Sequence, residues 1–516
     1  MTTDVKTPDA ADASIPAPDE GFSKEVWLTA GVVVLGAIMS ILDVTVVSVA
    51  LRTFQSTFHA TSAQVAWTMT GYTLALAAVI PLTGWAADRF GTKRLFMLAV
   101  LLFTVGSALC ASAPNLETLV LFRVLQGLGG GMLMPLGMTI MTQAAGPDKV
   151  GRIMAVLGIP MMLGPICGPI LGGWLVDAAS WHWIFLVNVP VGILTLAYAW
   201  RVLPKDRVEP SQSFDFIGML LLSPGLATLL YGVSSIPGAK QEHGTIWTTQ
   251  VVVFTLIGLV LVALFIPWAL NKRNEHPLID LRLFKDKAMT IAVIAMCLFA
   301  VAFFGAGLLF PLYFQQVLGH KALGSGLLMI PQGVGAVLTM PVAGVLADKI
   351  GPGKVVLTGI VFDTLGLAFF IGIGDHPSTL WILSGLFVMG LGMGATMMPM
   401  FSAALATLKH EHIARGSTLL NVTQQVAASI GTAIFSVILT SGFLSRRAAV
   451  AYSTALANNS ANLAQLKSAG LAAYGDAFGS VFLVGTILVG LCFIPALFLP
   501  RTKIDNPDAV SVPMGH

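Results

Sequence analysis

The sequence predicts an all-α polytopic membrane protein, built as two six-helix halves with two further helices between them. That makes fourteen transmembrane helices. Three observations carry the expectation. Of 516 residues, 56% are hydrophobic and only 10% charged, with a mean hydropathy of +0.84, whereas soluble domains carry about 25% charged residues. The apolar residues also come in blocks of about 20, the length a helix needs to span hydrocarbon. Finally, stretches of the first half recur in the second at a nearly constant offset.

The blocks run near 27–51, 64–87, 95–113, 117–142, 151–176, 183–203, 215–236, 247–270, 288–317, 323–347, 354–373, 379–406, 416–442 and 478–500. The 26 residues before them are rich in Pro, Ala and Asp and hold no signal-peptide core, so they read as a disordered tail with the first span as the targeting element. An even number of spans puts both termini on one side. Arg123 lies inside a span. Of the other Lys and Arg residues, 21 fall in segments on the N-terminal side and 6 in the opposite loops. Positive charge stays inside, so both termini are expected in the cytoplasm of a bacterial-type cytoplasmic membrane. The expected organisation is a tail (1–26), a first half (27–203), an insert of two helices and linkers (204–287), a second half (288–500) and a tail (501–516). One outer loop, 443–477, is long and Ala/Asn-rich and is a candidate surface helix. Cys110, Cys167, Cys297 and Cys492 lie far apart inside apolar blocks. They read as small hydrophobes, not as disulfides or metal ligands.

The repeat organises the halves. "GWAADRFGTKR" at Gly84–Arg94 returns as "GVLADKIGPGK" at Gly344–Lys354, an offset of 260. "GLGGGMLMP" at Gly127 returns as "GLGMGATMMP" at Gly390, an offset of 263. Such repeats characterise transporters, whose substrate site lies between the repeats near the bilayer midplane.

The first span holds "SILDVTVVSVAL", with Asp43 near its middle. A carboxylate at that depth costs about 2.5–3.5 kcal/mol on insertion scales, so it is expected to face the bundle interior with a partner. Arg123 is the only basic residue set deep in a span. Two readings stand for this pair: proton coupling, in which an acid exposed to each side in turn loads and releases a proton, or a static ion pair that fixes helix packing. The second copy places Leu386 or Val388 opposite Arg123, and span 9 has no acid between Ala288 and Val317. The charges are therefore one-sided on a symmetric scaffold, which favours coupling. Asp363 is a second intramembrane acid with no base in its own span. Either it serves a cationic substrate or a proton, or it is a Thr- or backbone-bonded residue on a peripheral helix.

At these residues the chain resembles the major facilitator superfamily, and within it the 14-spanner drug:proton antiporters of the EmrB/QacA subfamily. "LDVTVVSVAL" resembles the span-1 motif of that subfamily, and "GWAADRFGTKR" the loop 2–3 motif of the superfamily. "LFRVLQGLGGG" at Leu121 resembles the span-4 motif, and "GIPMMLGPICGPILGG" at Gly158 the span-5 antiporter motif. "WHWIFLVNVPVG" at Trp181 resembles a sixth-span pattern of 14-spanners. The likeness covers essentially the whole chain after the tail. The loop motif departs from the family at Thr92, where a large basic residue is usual, and its second copy has Pro352 and Gly353.

The resemblance implies a major facilitator fold and coupling groups in the first half, Asp43 and Arg123. It also implies a conformational latch of Gly84, Asp88, Arg89, Gly91, Arg94 and Asp348, with Arg89 and Arg94 bridging to the opposing half. The plainer alternative there is a short turn with positive-inside charges. In span 5, Gly164, Gly168 and Gly172 align small residues on one helix face, and Pro165 and Pro169 remove backbone donors and can bend the helix at an interface between halves. Candidate substrate contacts are Trp67, Tyr72, Gln126, Phe303, Phe304, Asp363, Met389, Met397, Asn421 and Gln425. Aromatic and Met surfaces tolerate varied apolar shapes, although each of these residues can equally be core or lipid-facing.

There is no GxxxxGK[ST] for ATP, no HExxH ("HEH" at His410 does not fit) and no nucleophile–base pattern, so an enzyme is not expected. The sequon at Asn458–Ser460 carries no weight. The leading reading is a proton-coupled antiporter, without cofactor or metal, that exports amphipathic small molecules, cationic drugs or dyes included, by alternating access. Its partners would be protons, substrate and the lipid bilayer, not nucleic acid. The alternatives are an exporter of an endogenous siderophore, lipid or metabolite, a uniporter or symporter, and a non-transporting scaffold or receptor.

Overall fold

The structure, a computed structural model, describes residues 22–146, 149–206, 213–375, 377–405, 408, 412–457 and 463–502. Most of both expected tails lies outside the described residues, as do the Asn458–Ser460 sequon, His410 and Glu411. The described chain is all helix. The first half comprises α1 (Lys24–Phe58), α2 (Ser62–Phe90), α3 (Thr92–Ala111), α4 (Leu116–Ala145), α5 (Val150–Ala178), and α6 (Trp183–Leu186) followed by α7 (Asn188–Val202). The insert comprises α8 (Phe216–Ser234), α9 (Ile236–His243) and α10 (Thr249–Leu270). The second half comprises α11 (Lys287–Gln316), α12 (Ala322–Leu328) running into α13 (Ile330–Ile350), α14 (Pro352–Ala368), α15 (Thr379–Leu405), α16 (Ile413–Leu444), α17 (Arg447–Ala457), α18 (Leu463–Leu491) and α19 (Phe493–Ala496).

Among the described residues, twelve stretches are long and apolar enough to cross a membrane. The remaining two expected spans are present as helices: α5, with 29 residues, and α14, with 17. At 1.5 Å per residue α14 rises about 26 Å, near the lower limit for a span. Side chains set the helix starts. Thr61 and Gln64 form a reciprocal capping box (Thr61 N donates to Gln64 Oε1 at 2.9 Å, Gln64 N to Thr61 Oγ1 at 3.3 Å). Asn115 accepts from Thr118 N and Asp286 from Ala288 N and Met289 N, which satisfies amides that have no intrahelical partner.

One boundary differs from expectation. Span 14 is expected to begin near 478, but α18 starts at Leu463, while α17 lies inside 443–477, where a surface helix is expected. The Ala- and Leu-rich composition there favours helix over loop. Span 6 is one apolar stretch, Trp183–Val202, in which α6 runs into α7 through Val187, itself helical at φ −59° and ψ −28°. Pro190 lacks the N–H that would reach the carbonyl four residues back, which interrupts the hydrogen-bond ladder at that turn.

Within the first half α1 packs on α4, α5 and α7; within the second α11 packs on α15, α16 and α18. Between halves α5 lies on α13 and α15, and α16 lies on α2 and α4. The insert straddles this seam, because α8 touches both α2 and α16. α10 turns Leu256, Leu259, Val260 and Leu264 outward, the apolar face a bilayer would cover. Backbones approach closely where glycine allows it. A Cβ on Gly392 of α15 would lie 2.6 Å from the Gly359 carbonyl of α14 and against the backbone of Asp363. Gly392→Ala is therefore expected to force α14 and α15 apart and destabilise by roughly 1–3 kcal/mol. Gly173→Ala, where nothing lies within 4 Å of the added carbon, is expected to be neutral. Thermal unfolding in detergent checks the pair.

Candidate functional site

The turn of span 6 before Pro190 faces α1. It holds Asn188, the first residue of α7, buried to 6% exposure. There Asp43, only 2% exposed, is enclosed by donors from two helices. Arg123 Nη1 of α4 donates to Asp43 Oδ2. Gln126 Nε2, one turn further on, donates to Oδ1 at 2.7 Å, and Asn188 Nδ2 donates to the same oxygen at 3.4 Å. An i, i+3 spacing puts Arg123 and Gln126 on one face of α4.

The donors are themselves held. Arg123 Nη1 also donates to Gln126 Oε1 at 2.7 Å, and Arg123 Nε to the Thr68 carbonyl at 3.0 Å. Gln126 Nε2 donates to Ser107 Oγ at 2.8 Å. The Tyr72 ring lies 4.2 Å beneath the guanidinium, and its hydroxyl is 3.2 Å from Ser40 Oγ. A cation over an aromatic face is attracted to it. Breaking one partner of such a buried pair leaves an uncompensated charge, which costs about 3–5 kcal/mol.

The α5 glycines face this helix. An added Cβ would meet Ile41 at Gly164, Thr45 at Gly168 and Val46 at Gly172, and Thr45 Oγ1 lies 3.1 Å from the Gly164 carbonyl. The expectation that this stripe sits between halves is corrected: it grips α1 of its own half on both sides of Asp43. Small residues are what let the two backbones come so close. Pro165 and Pro169 lie in the same uninterrupted helix. The start of α5 is what meets the other half. Gly151 N donates to Asp348 Oδ1 at 2.7 Å and Arg152 N to Asp348 Oδ2 at 3.1 Å, with Arg152 Nε 3.7 Å from the same oxygen. An acid of the second half thus caps a helix of the first, where negative charge is favoured. The mirror contact joins Asp88 of α2 to Arg415 of α16, Oδ2 to Nε at 3.5 Å. A Cβ on Gly84 would touch Thr418 and Arg415, and one on Gly344 would touch Gly151 and Arg152.

The latch expectation is therefore corrected in its carriers: the acids Asp88 and Asp348 cross between halves. Arg94 does not. Its side chain is 76% exposed and lies 3.9 Å from Asp206, in the linker that follows its own half. Asp206 also accepts from Lys93 N at 2.7 Å and Arg94 N at 3.2 Å, capping α3. Arg89 sits half-buried in the last turn of α2. In the second copy Gly353 N donates to the Pro500 carbonyl at 2.8 Å. Each half thus folds its own trailing segment onto its own turn, once through a carboxylate and once through backbone. That accounts for Pro352 and Gly353. Gly91 and Gly351 hold φ of 94° and 93°, a region that side chains disfavour.

The ten candidate substrate residues do not share one wall. Tyr72 and Gln126 belong to the Asp43 enclosure. Trp67 is 43% exposed and stacks on Tyr231 of the insert, ring centroids 5.4 Å apart. Met389 packs against Gly366 between α15 and α14. Asp363 is buried between the same helices, with Thr396 Oγ1 3.2 Å from its Oδ2. Phe303 and Phe304 are half-buried neighbours on α11, and Met397 is buried on α15. Asn421 crosses the seam, its Nδ2 reaching Met138 Sδ at 3.1 Å, and Gln425 lies half-buried one turn on. A cavity of about 1040 Å³ opens elsewhere, beneath α17, among Gln315, His320, Asp375, Tyr452, Lys467 and Tyr474. Among the described residues no cluster of three or more His, Cys, Asp or Glu is arranged to hold a metal.

The sequence matches the Major Facilitator Superfamily over residues 33–432. The chain belongs to the major facilitator superfamily. This facilitator is a multi-pass transporter of the cytoplasmic membrane, not an enzyme. It is 50% identical over 501 residues to a multidrug resistance protein B homolog of Mycobacterium tuberculosis, covering 93% of this chain and 91% of that one. It is 31% identical to the multidrug export protein EmrB of Haemophilus influenzae, over 78% of each chain. The human organic anion transporter MFSD10 (TETRAN) shares the fold, with a TM-score of 0.58 at 16% identity, over 90% of this chain and all of that one. The resemblance read from the five motifs is met by these matches.

Reading the sequence alone missed Asn188, Ser107, Thr68 and Asp206 around these sites. Asn188 lay inside a motif already singled out, and a polar residue two before a proline in a span was the available signal. Asp348→Ala is expected to expose the first amides of α5 and to cost about 1 kcal/mol of latch stability. Arg94→Ala is expected to change little, as an exposed surface change. Distances between spin labels on α5 and α13 check both: the first variant should widen their distribution and the second should not.

Proposed function

We propose that this facilitator exports amphipathic small molecules, cationic drugs and dyes among them, in exchange for protons, with Asp43 as the coupling acid. The supporting observation is the enclosure itself: a carboxylate and a guanidinium paired in the interior of the first half, with no counterpart at Leu386, which is fully buried in the second. The names of the relatives support the choice of cargo. The loop charges put both termini and the latched end in the cytoplasm. The conformation described is then shut toward the cytoplasm by the Asp88–Arg415 and Asp348–Arg152 contacts.

Physically, a charged Asp43 holds Arg123, and through it α1 stays locked to α4. A proton arriving from outside removes the charge, and the pairing weakens. The change at α1 passes to α5, whose glycines clasp it at Gly164 and Gly168. Because the start of α5 is capped by Asp348, the shift reaches the seam between halves, where the two bundles rock about a central site. The driving force is the proton gradient, with no cofactor.

The test is dye transport by purified protein in liposomes under an imposed pH gradient. Gradient-driven transport is expected in the wild type. It is expected to fall to background in Asp43→Asn, while dye binding survives. Transport indifferent to the gradient, or undiminished in Asp43→Asn, would sink the proposal.

A further inference from the structure

Three donors face Asp43, and hydrogen-bond accounting shows what each can do when a proton arrives. A carboxylate only accepts, so Arg123, Gln126 and Asn188 all present N–H groups to it. A protonated Asp43 carries one more hydrogen inside a ring of hydrogens. One neighbour must then turn from donor to acceptor. Arg123 has no acceptor to offer. Gln126 has one, but its oxygen already accepts from Arg123 at 2.7 Å and its nitrogen also holds Ser107 at 2.8 Å. Rotating that amide disturbs four contacts, with Arg123, Asp43, Ser107 and Cys110, in a residue with no exposure at all. Asn188 makes a single side-chain hydrogen bond among the described residues, the long one to Asp43 at 3.4 Å, and its Oδ1 makes none. It stands at the start of α7, in the turn before Pro190, and retains 6% exposure.

We propose that Asn188 is the positioning residue for the coupling proton. When a proton from water binds Asp43 Oδ1, the Asn188 carboxamide turns over and its Oδ1 accepts that hydrogen. The turn of the carboxamide itself breaks only the long contact, and no electron moves. Arg123 and Gln126 keep their mutual bond throughout, so the enclosure changes charge without being dismantled. The sixth-span motif thereby acquires a role, since it places an amide against the acid of span 1. The titratable groups that face Asp43 are Arg123 of α4, Tyr72 of α2 and Cys110 of α3; none of them takes the accepting role. This inference rests on Asp43 being the coupling acid.

The experiment is the pH profile of gradient-driven dye transport in liposomes for four proteins. Asn188→Ala removes the acceptor of the protonated form together with only a long 3.4 Å donor contact to the charged form, so half-maximal transport is expected to need about three- to tenfold more protons outside, the worth of one hydrogen bond. Asn188→Leu fills the space without an acceptor and should shift the profile the same way, which keeps the test alive if the alanine variant does not fold. Asn188→Ser, whose hydroxyl both gives and accepts, should recover part of the shift. A profile that stays put or moves to higher pH in the alanine or leucine variant overturns the proposal, as does a serine variant no better than leucine. Asp43→Asn run alongside separates the two claims. If it still transports, the parent reading fails; if it is inactive while the Asn188 profiles match wild type, only this inference fails.

Discussion

The structure is arranged around one electrostatic problem, a charge pair shut away from bulk solvent. Asp43 and Arg123 are almost fully enclosed, and each is bearable only because the other is there and because amides, a hydroxyl, a carbonyl and an aromatic face take up the remaining valences. Around the pair, the glycines that follow Arg123 let α2 and α3 close on α4, and α3 offers Ser107 to Gln126. The pair also separates the two halves. The second half keeps the helix count and the glycine crossings but fills the corresponding place with apolar side chains.

The fold was legible because its signals are coarse and additive. Long apolar blocks, a charge bias in loops and two repeated motifs survive any uncertainty about where one side chain points. The Asp43–Arg123 contact was legible for a related reason: two opposite charges deep in hydrocarbon have few alternatives to each other. What the sequence hid was relative rotation. Trp67, Met389 and Asp363 have the right chemistry for a substrate wall, but helix phase places them against the insert or between α14 and α15. Arg94 is drawn away for a local reason, since Asp206 sits at the same helix start. Asn188 was hidden because a neutral amide costs too little in a span to announce itself.

The loop 2–3 motif also reads differently once its partners are known. Its basic residues drew attention because charge is rare in this chain, yet the acids make the contact between halves. An acid at a helix start uses the helix dipole and two backbone amides together, with geometry fixed by main chain. A long exposed arginine offers no such fixed geometry and loses more freedom when held.

Asp88 meets Arg415 while Asp348 meets Arg152, and these four residues are two pairs of repeat equivalents. Residue i of one copy touches j of the other, and j of the first touches i of the second. That reciprocity is what a two-fold symmetric dimer displays at its self-complementary face. The seam of this single chain therefore retains the form of a contact between identical subunits, as though two copies of a six-helix ancestor had first met as separate molecules and gene fusion had later joined them. Fusion freed each copy to diverge inside, which is how one could gain a titratable centre while its twin stayed plain.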